Sequence, residues 1–144
     1  IINNASIAAH LAGYSSSMIY GAAKAAVKHL TTCVGMELGE SNVRVNSISP
    51  GAIATGILAK ALGMDAGQAD QIAEGMKAGF AKAQPIPRAG LPDDIAQCAL
   101  FLASDRASFI NATDIVVDGG VIGGRAYSPH QEMLRQTKTA LGIG

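Results

Sequence analysis

The chain has 144 residues with 11 basic and 11 acidic side chains, so no net charge draws it toward nucleic acid or an anionic membrane. Hydrophobic residues make up 49% of it, enough for a buried core, yet no run reaches the ~20 apolar residues that span a bilayer. A small-molecule substrate or cofactor is therefore the expected partner.

The first third of the chain has the pattern of a strand, a helix and a second strand. Residues 1–6 begin apolar and end polar, as at the end of a buried parallel strand. Residues 17–38 carry apolar side chains at helical intervals, between serine N-cap candidates at 15–17 and a stop at Gly39. Residues 43–49 alternate at period two up to Pro50-Gly51, which predicts the second strand. The right-handed crossover of such a unit puts both strand C-termini at one sheet edge, where ligands bind.

The rest of the chain predicts further helices and one more strand. Residues 56–82 are rich in Ala, Gly and Met and lack good caps, which predicts one or two helices. Because they follow a strand's C-terminal end, they would form a substrate lid, with an ordinary helical hairpin as the alternative. Pro92-Asp93-Asp94 predicts the start of a helix that ends near Ser104. Residues 115–120 predict a third buried strand and a turn, and the 144 residues show no repeat or clear linker.

Three side chains suit proton transfer to or from a carbinol oxygen. On a helix, Tyr20 and Lys24 stand at i and i+4 and share one face, and a cation within ~4–6 Å of a phenol favours the phenolate. A serine hydroxyl both donates and accepts, so Ser6 at a strand end can hold a substrate oxygen beside the phenol. The same spacing occurs by chance on solvated helix faces, so by itself it does not establish a site.

Six segments occur in a fixed order: Asn3-x-x-Ser6, Tyr20-x-x-x-Lys24, residues 43–55, residues 87–96, residues 101–105 and Val117-Asp118-Gly119-Gly120. Together they resemble the C-terminal half of the short-chain dehydrogenases/reductases, over nearly the whole chain up to about Gly124. The resemblance implies an α/β, Rossmann-like doubly wound parallel sheet, of which this chain holds about three strands with flanking helices. Residues 125–144 form a C-terminal tail without a family pattern.

The resemblance also implies a reaction, the NAD(H)- or NADP(H)-dependent interconversion of an alcohol and a ketone. By position, Tyr20 would be the general acid/base and would also contact the cofactor. Lys24 would assist it and hold the nicotinamide ribose, and Ser6 would steady the substrate oxygen. The substrate would be apolar or weakly polar, because the segments expected to surround it, residues 7–18 and the lid, carry few charges.

One wall of the cofactor site is implied by the segment Pro50-Gly51-x-Ile53-x-Thr55. In the family it meets the nicotinamide, here through the Ile53 backbone and the Thr55 hydroxyl. The structural alternatives are a strand-ending turn for Pro50-Gly51 and a helix cap for Thr55. Asn46 is interpreted as a turn-stabilising amide and left outside the site.

Several departures from the family pattern limit what the chain can do alone. The glycine-rich dinucleotide loop, the residue that chooses NAD or NADP and the family's catalytic asparagine do not occur in the 144 residues, and Ala112 stands where glycine is commoner. The first strand would leave an apolar sheet edge open. We expect the 144-residue chain alone to bind cofactor poorly and turn over little; a tight calorimetric titration with NADH would refute this.

Other interpretations compete with the oxidoreductase. A catalytically inactive oligomerisation or scaffold module would use the alanine-rich helix and the tail. A sugar-nucleotide epimerase is disfavoured by Pro50-Gly51 and Asp118-Gly119-Gly120, and an enoyl reductase by the short spacing from Tyr20 to Lys24. Family resemblance implies a homo-oligomer, a tetramer or dimer, packed through the Tyr20 helix. Cys33 and Cys98 lie in apolar helical segments, which favours buried, reduced thiols and a cytoplasmic protein.

Overall fold

The computed structural model describes residues 1–15, 17–57, 59, 63–124 and 126–143. Its strands are β1 (Ile2–Asn4), β2 (Asn46–Pro50) and β3 (Asp114–Val117), and its helices are α1 (Met18–Gly39), α2 (Ala66–Ala83), α3 (Pro92–Ala103) and α4 (Tyr127–Ala140). Short 3-10 turns cover Ile7–Ala9, Asp105–Ala107 and Val121–Gly123. No helix within these ranges is long and apolar enough to cross a bilayer.

The three strands form one parallel sheet in the order β1-β2-β3, with Asn3 opposite Ser47 and Ser47 opposite Asp114. Parallel sheets are covered on both faces. On one face α1 lies against β1, where Asn3 Nδ2 donates to Thr31 Oγ1 at 2.9 Å. On the other face Ile48 packs with Leu102 of α3 in the buried core. The predicted Rossmann-like half-sheet with flanking helices is confirmed.

The second strand begins later than predicted. We expected it over residues 43–49, whereas β2 spans Asn46–Pro50. Before Asn46, polar groups form hydrogen bonds with residues distant in the sequence in place of strand pairing. The backbone N–H of Val45 donates to Asn111 Oδ1 at 2.8 Å. The guanidinium of Arg44 donates to the Leu102 carbonyl oxygen at 2.9 Å. The predicted end of the strand at Pro50 is confirmed.

The alternation of β2 does not mark an exposed face, because its polar residues are buried and hydrogen-bonded. Asn46 Nδ2 donates to the Ile110 carbonyl at 2.9 Å, and Asn46 Oδ1 accepts from Thr113 N at 3.2 Å. The hydroxyls of Ser47 and Ser49 are likewise buried and bonded. The side-chain amide of Asn46 therefore has a structural role: it binds the segment that leads into β3, in agreement with its interpretation as a stabilising amide outside the site.

The prediction for α1 is confirmed at both ends. Ser17 is its N-cap and accepts from Tyr20 N at 3.2 Å, and the helix ends with Gly39. The small residues of α1 allow close approach of backbone, and the backbone that packs at Gly21 is this chain's own. A Cβ built on Gly21 would lie 3.2 Å from the carbonyl oxygen of Ala8. At Gly35, a Cβ would lie 2.8 Å from Ala112 Cα.

Ala112 has a φ of 55°, the left-handed conformation that favours glycine. A non-glycine residue there costs about 1–2 kcal/mol, which accounts physically for the glycine of the family pattern. We predict that Ala112→Gly stabilises the intact protein by ~0.5–1 kcal/mol, after the greater freedom of glycine in the unfolded chain is subtracted. Urea unfolding measures this change.

The matched control is Ala78→Gly, which removes the same methyl group from an exposed position inside α2. It should destabilise the protein by ~1 kcal/mol, because the helical conformation at that position favours alanine. If both variants lose stability equally, backbone conformation does not govern the effect at position 112.

The second half of the chain confirms α3, corrects the expectations about helix caps and buried thiols, and adds a helix that was not predicted. Helix α2 has a capping box that was not predicted: Asp65 Oδ1 accepts from Gln68 N, and Gln68 Oε1 accepts from Asp65 N. Residues 58 and 60–62 of the predicted lid lie outside the described residues. The tail contains a helix, α4, that was not predicted either. Cys33 is exposed and Cys98 only partly buried, so the expectation of two buried thiols is wrong; burial raises the pKa of the Cys98 thiol.

Candidate active site

A cavity of about 360 Å³ lies where β1 and β2 end, at the sheet edge where doubly wound folds bind ligands. Its size is within the range of small-molecule sites. Six of the seven predicted site residues line it, and Lys24 is the exception. The full lining is Asn4, Ala5, Ser6, Tyr20, Pro50, Gly51, Ile53, Thr55, Ile57, Pro92 and Ile95.

Ser6 lines the cavity two residues after the end of β1. It has extended backbone and is the N-cap of the Ile7–Ala9 turn, and it is 7% exposed. Its Oγ accepts a hydrogen bond from Ala8 N at 3.1 Å. Because this bond occupies a lone pair and not the hydroxyl hydrogen, Ser6 can still donate to an oxygen atom in the cavity.

Tyr20 stands in the first turn of α1 and is 39% exposed. The Nζ of Lys24 lies over the ring of Tyr20, 5.6 Å from the ring centroid, so both side chains project from one face of the helix. Lys24 Nζ also donates to the carbonyl oxygen of Asn4 at 2.7 Å. An ammonium has three donors, so this anchor to the end of β1 leaves two for other partners.

The opposite wall of the cavity follows β2. A Cβ on Gly51 would lie 2.6 Å from Asp118 Cα, so only glycine fits between the ends of β2 and β3. Two backbone bonds then tie the chain to Gly90: Ala54 N donates to Gly90 O at 2.8 Å, and Gly90 N donates to Ala52 O at 3.1 Å. Ile53 takes part in neither bond, which leaves its N–H and C=O for other partners.

An ion pair that was not predicted supports the start of α3, whose Pro92 and Ile95 line the cavity. The guanidinium of Arg88 donates to both carboxylate oxygens of Asp94 at 2.7 Å, and Leu91 N donates to Asp94 Oδ2 at 2.8 Å. The hydrogen bonds from Arg88 and Leu91 lower the pKa of Asp94 to about 2. The signal was present in the segment Pro87-Arg88-x-Gly90-x-Pro92-x-Asp94, but nothing in the spacing identifies a bidentate pair.

Asp118 was predicted only as part of a glycine turn. In the structure its side chain also caps backbone N–H groups of that turn. Its carboxylate accepts from Gly120 N at 2.7 Å and from Ile122 N at 2.8 Å. These bonds shape the turn that follows β3, against which Gly51 packs. An Asp before two glycines is a general turn signal, so its acceptors could have been anticipated but their position could not.

Parallel strands joined by helical crossovers and a ligand-sized cavity at the strand ends define an α/β protein of the Rossmann type. Comparison with known proteins narrows this class. A family model described as enoyl-(acyl carrier protein) reductase matches residues 1–122. The 2,3-dihydro-2,3-dihydroxybenzoate dehydrogenase of Escherichia coli (strain K12) is 42% identical over 120 residues, which are 83% of this chain and 48% of that protein.

Two further relatives agree with this assignment. The 3-oxoacyl-(acyl-carrier-protein) reductase of Chlamydia pneumoniae is 38% identical over 121 residues, covering 84% of this chain and 44% of that protein. The structure of 4-hydroxyisoleucine dehydrogenase complexed with NADH superposes with a TM-score of 0.69 at 35% identity, covering 87% of this chain and 47% of that chain. The chain belongs to the short-chain dehydrogenase/reductase family, and it spans about half the length of these relatives.

The description of the matching family model does not decide the reaction. None of the three relatives is named for an enoyl reduction, and the spacing of four residues between Tyr20 and Lys24 is the feature that separated this chain from enoyl reductases. Membership therefore establishes an oxidoreductase family.

Proposed function

We propose that this chain carries the proton-transfer half of an NAD- or NADP-dependent oxidoreductase that interconverts an alcohol and a ketone. The observation that supports it most directly is the meeting of Ser6 and Tyr20 in one cavity, with Lys24 Nζ 5.6 Å from the phenol ring. Ser6 lies 14 positions before Tyr20 in the sequence, and the crossover from β1 into α1 brings the two together.

The proposed mechanism, in the direction of reduction, begins with the substrate carbonyl oxygen accepting hydrogen bonds from Ser6 and Tyr20. As the carbonyl carbon is reduced, its oxygen takes the phenolic proton of Tyr20, and the resulting phenolate is balanced by the ammonium of Lys24. The nicotinamide ring, when bound, supplies or accepts the hydride. Oxidation of the alcohol reverses these steps, with the phenolate of Tyr20 as the base.

The residues present fit a nicotinamide. Lys24 retains two donors for ribose hydroxyls, and Ile53 and Thr55 line the cavity. Because the 4-hydroxyisoleucine dehydrogenase structure contains NADH, we propose that NAD(H) be tested first and NADP(H) second.

The substrate class follows from the lining. Apart from Ser6, Tyr20 and Thr55, the side chains around the cavity are mostly apolar or small, including Ile53 and Ile95. We therefore propose an apolar or weakly polar alcohol or ketone. Residues 56–82 would close over it as a lid, and the tail at 125–144 would remain outside the chemistry.

We further propose a cytoplasmic protein that assembles as a homo-oligomer. Free cysteines at positions 33 and 98 agree with a cytoplasmic protein. The exposed face of α1 carries Met18, Ile19 and Met36, which agrees with packing against a second subunit in a dimer or tetramer.

The test is a turnover assay of the intact protein that carries this chain, with NADH or NADPH and a panel of ketones graded from apolar to doubly charged. We expect cofactor oxidation with apolar and weakly polar ketones and none with the charged ones. The 144-residue chain, assayed beside it, should show little or no turnover. Saturable cofactor binding without turnover on any ketone or alcohol would contradict the proposal and favour the inactive scaffold.

A further inference from the structure

A second group of polar side chains lies away from the cavity, under α1. It consists of His10 in the loop between Ser6 and α1, Asp114 on β3 and Lys28 on α1. His10 Nε2 and Asp114 Oδ2 are 2.8 Å apart, and His10 Nδ1 and Lys28 Nζ are 3.3 Å apart. The side chains of His10 and Asp114 are only 19% and 8% exposed.

The hydrogen-bond pattern assigns one tautomer to His10. Asp114 already accepts from the hydroxyls of Ser47 at 2.5 Å and Ser49 at 3.0 Å, both through Oδ1, so its carboxylate can only accept from His10 as well. Lys28 can only donate. These two contacts correspond to the Nε2–H tautomer of His10, with the lone pair of Nδ1 directed at Lys28.

His10 is one helical turn from Ser6. His10 N donates to the Ile7 carbonyl at 2.9 Å and closes the Ile7–Ala9 turn, at whose other end Ser6 Oγ accepts from Ala8 N. The same turn lies against α1, where the Ala8 carbonyl approaches Gly21. Asp114 and Lys28 bind His10, and they thereby fix the C-terminal end of the turn that orients the Ser6 hydroxyl.

We propose that His10 is a positioning residue for Ser6: through its contacts with Asp114 and Lys28 it joins β3 to α1 and thereby keeps the Ile7–Ala9 turn and the Ser6 hydroxyl in place. Its consequence for catalysis rests on the proposed function. The positioning itself does not, because it is a property of the turn. No residue of this bridge lines the 360 Å³ cavity that contains Ser6 and Tyr20, so the proposed effect of His10 on that cavity runs through Ser6.

The first experiment measures amide hydrogen exchange in the intact protein at pH 8 and needs no activity. His10→Ala should speed exchange at Ala8 roughly tenfold, since the turn then opens locally. His10→Gln keeps a donor for Asp114 and should restore most of the protection. Ile48, in the core of the sheet, should exchange at the same rate in all three proteins. Unchanged exchange at Ala8, or an equal rise at Ile48, would overturn the proposal.

The second experiment is a double-mutant cycle on kcat/KM. His10→Ala should lower kcat/KM about tenfold in the parent and less than about twofold in a Ser6→Ala background, because residues that act through one another are not additive. An equal loss in both backgrounds would mean that His10 does not act through Ser6. Failure of the oxidoreductase proposal would remove the cycle's signal but would leave the exchange result intact, so the two failures can be told apart.

Discussion

Replacing Tyr20 by Phe should abolish measurable turnover of the intact protein while leaving cofactor binding largely in place. The substitution removes the one hydroxyl in the cavity lining that stands beside an ammonium, and keeps the ring that lines the wall. Loss of a general acid/base costs about 10²- to 10⁴-fold in rate. The measurements are kcat for the best ketone of the panel and the Kd of NADH by calorimetry.

The matched control is Tyr127→Phe, which deletes the same hydroxyl from the exposed start of α4. It should retain parental kcat and Kd, because the residue is not part of the cavity lining. Substantial residual turnover in Tyr20→Phe would assign the proton transfer to another group. A large loss of NADH affinity would instead make Tyr20 a binding residue.

Gly51→Ala should destabilise the intact protein by about 1–3 kcal/mol, the usual cost of forcing extra volume into a packed site. The new Cβ would lie 2.6 Å from both Cα and Cβ of Asp118, and it faces backbone, not the flexible end of a side chain. Relief requires the ends of β2 and β3 to separate, which also moves the cavity wall that carries Ile53. Urea unfolding gives the change in stability, and the KM for the cofactor shows whether the cavity wall that carries Ile53 has moved.

Gly75→Ala makes the same chemical change where nothing lies within 4 Å of the new Cβ, inside α2. It should stabilise the protein by ~0.5–1 kcal/mol, because alanine loses less conformational freedom in a helix than glycine does. Opposite signs for the two variants are the expected result. Equal small effects would show that the strand ends can relax around the methyl group added at position 51 without strain.

Local signals were sufficient where an element's ends depend on its own residues. Serine before an apolar helical repeat and glycine after it located α1 within one residue, and proline with two acids located α3. The Asp65 and Gln68 capping box of α2 is equally local and could have been predicted from the spacing. Helix ends are readable because the caps satisfy backbone groups only three or four residues away.

Local signals failed where a distant residue takes over a backbone or side-chain group. β2 starts at Asn46 because Asn111 accepts the hydrogen of Val45 N, 66 positions along the chain. Its serines look like a solvent-facing alternation, yet both are buried because Asp114 accepts their hydroxyl hydrogens. Cys33 is exposed although its helix is apolar, because within the described chain no element covers that side of α1.

The order and spacing of the sequence motifs sufficed to determine the family and, with it, the parallel half-sheet. Helical periodicity sufficed to pair Tyr20 with Lys24, because residues four apart share one face of a helix. Only the tertiary structure decided which groups meet across the sheet. It placed Ser6 and Tyr20 in one cavity, pressed Gly51 against Asp118, and joined His10 to Asp114 over 104 positions. Such contacts depend on packing and register between strands, which no local pattern of residues encodes.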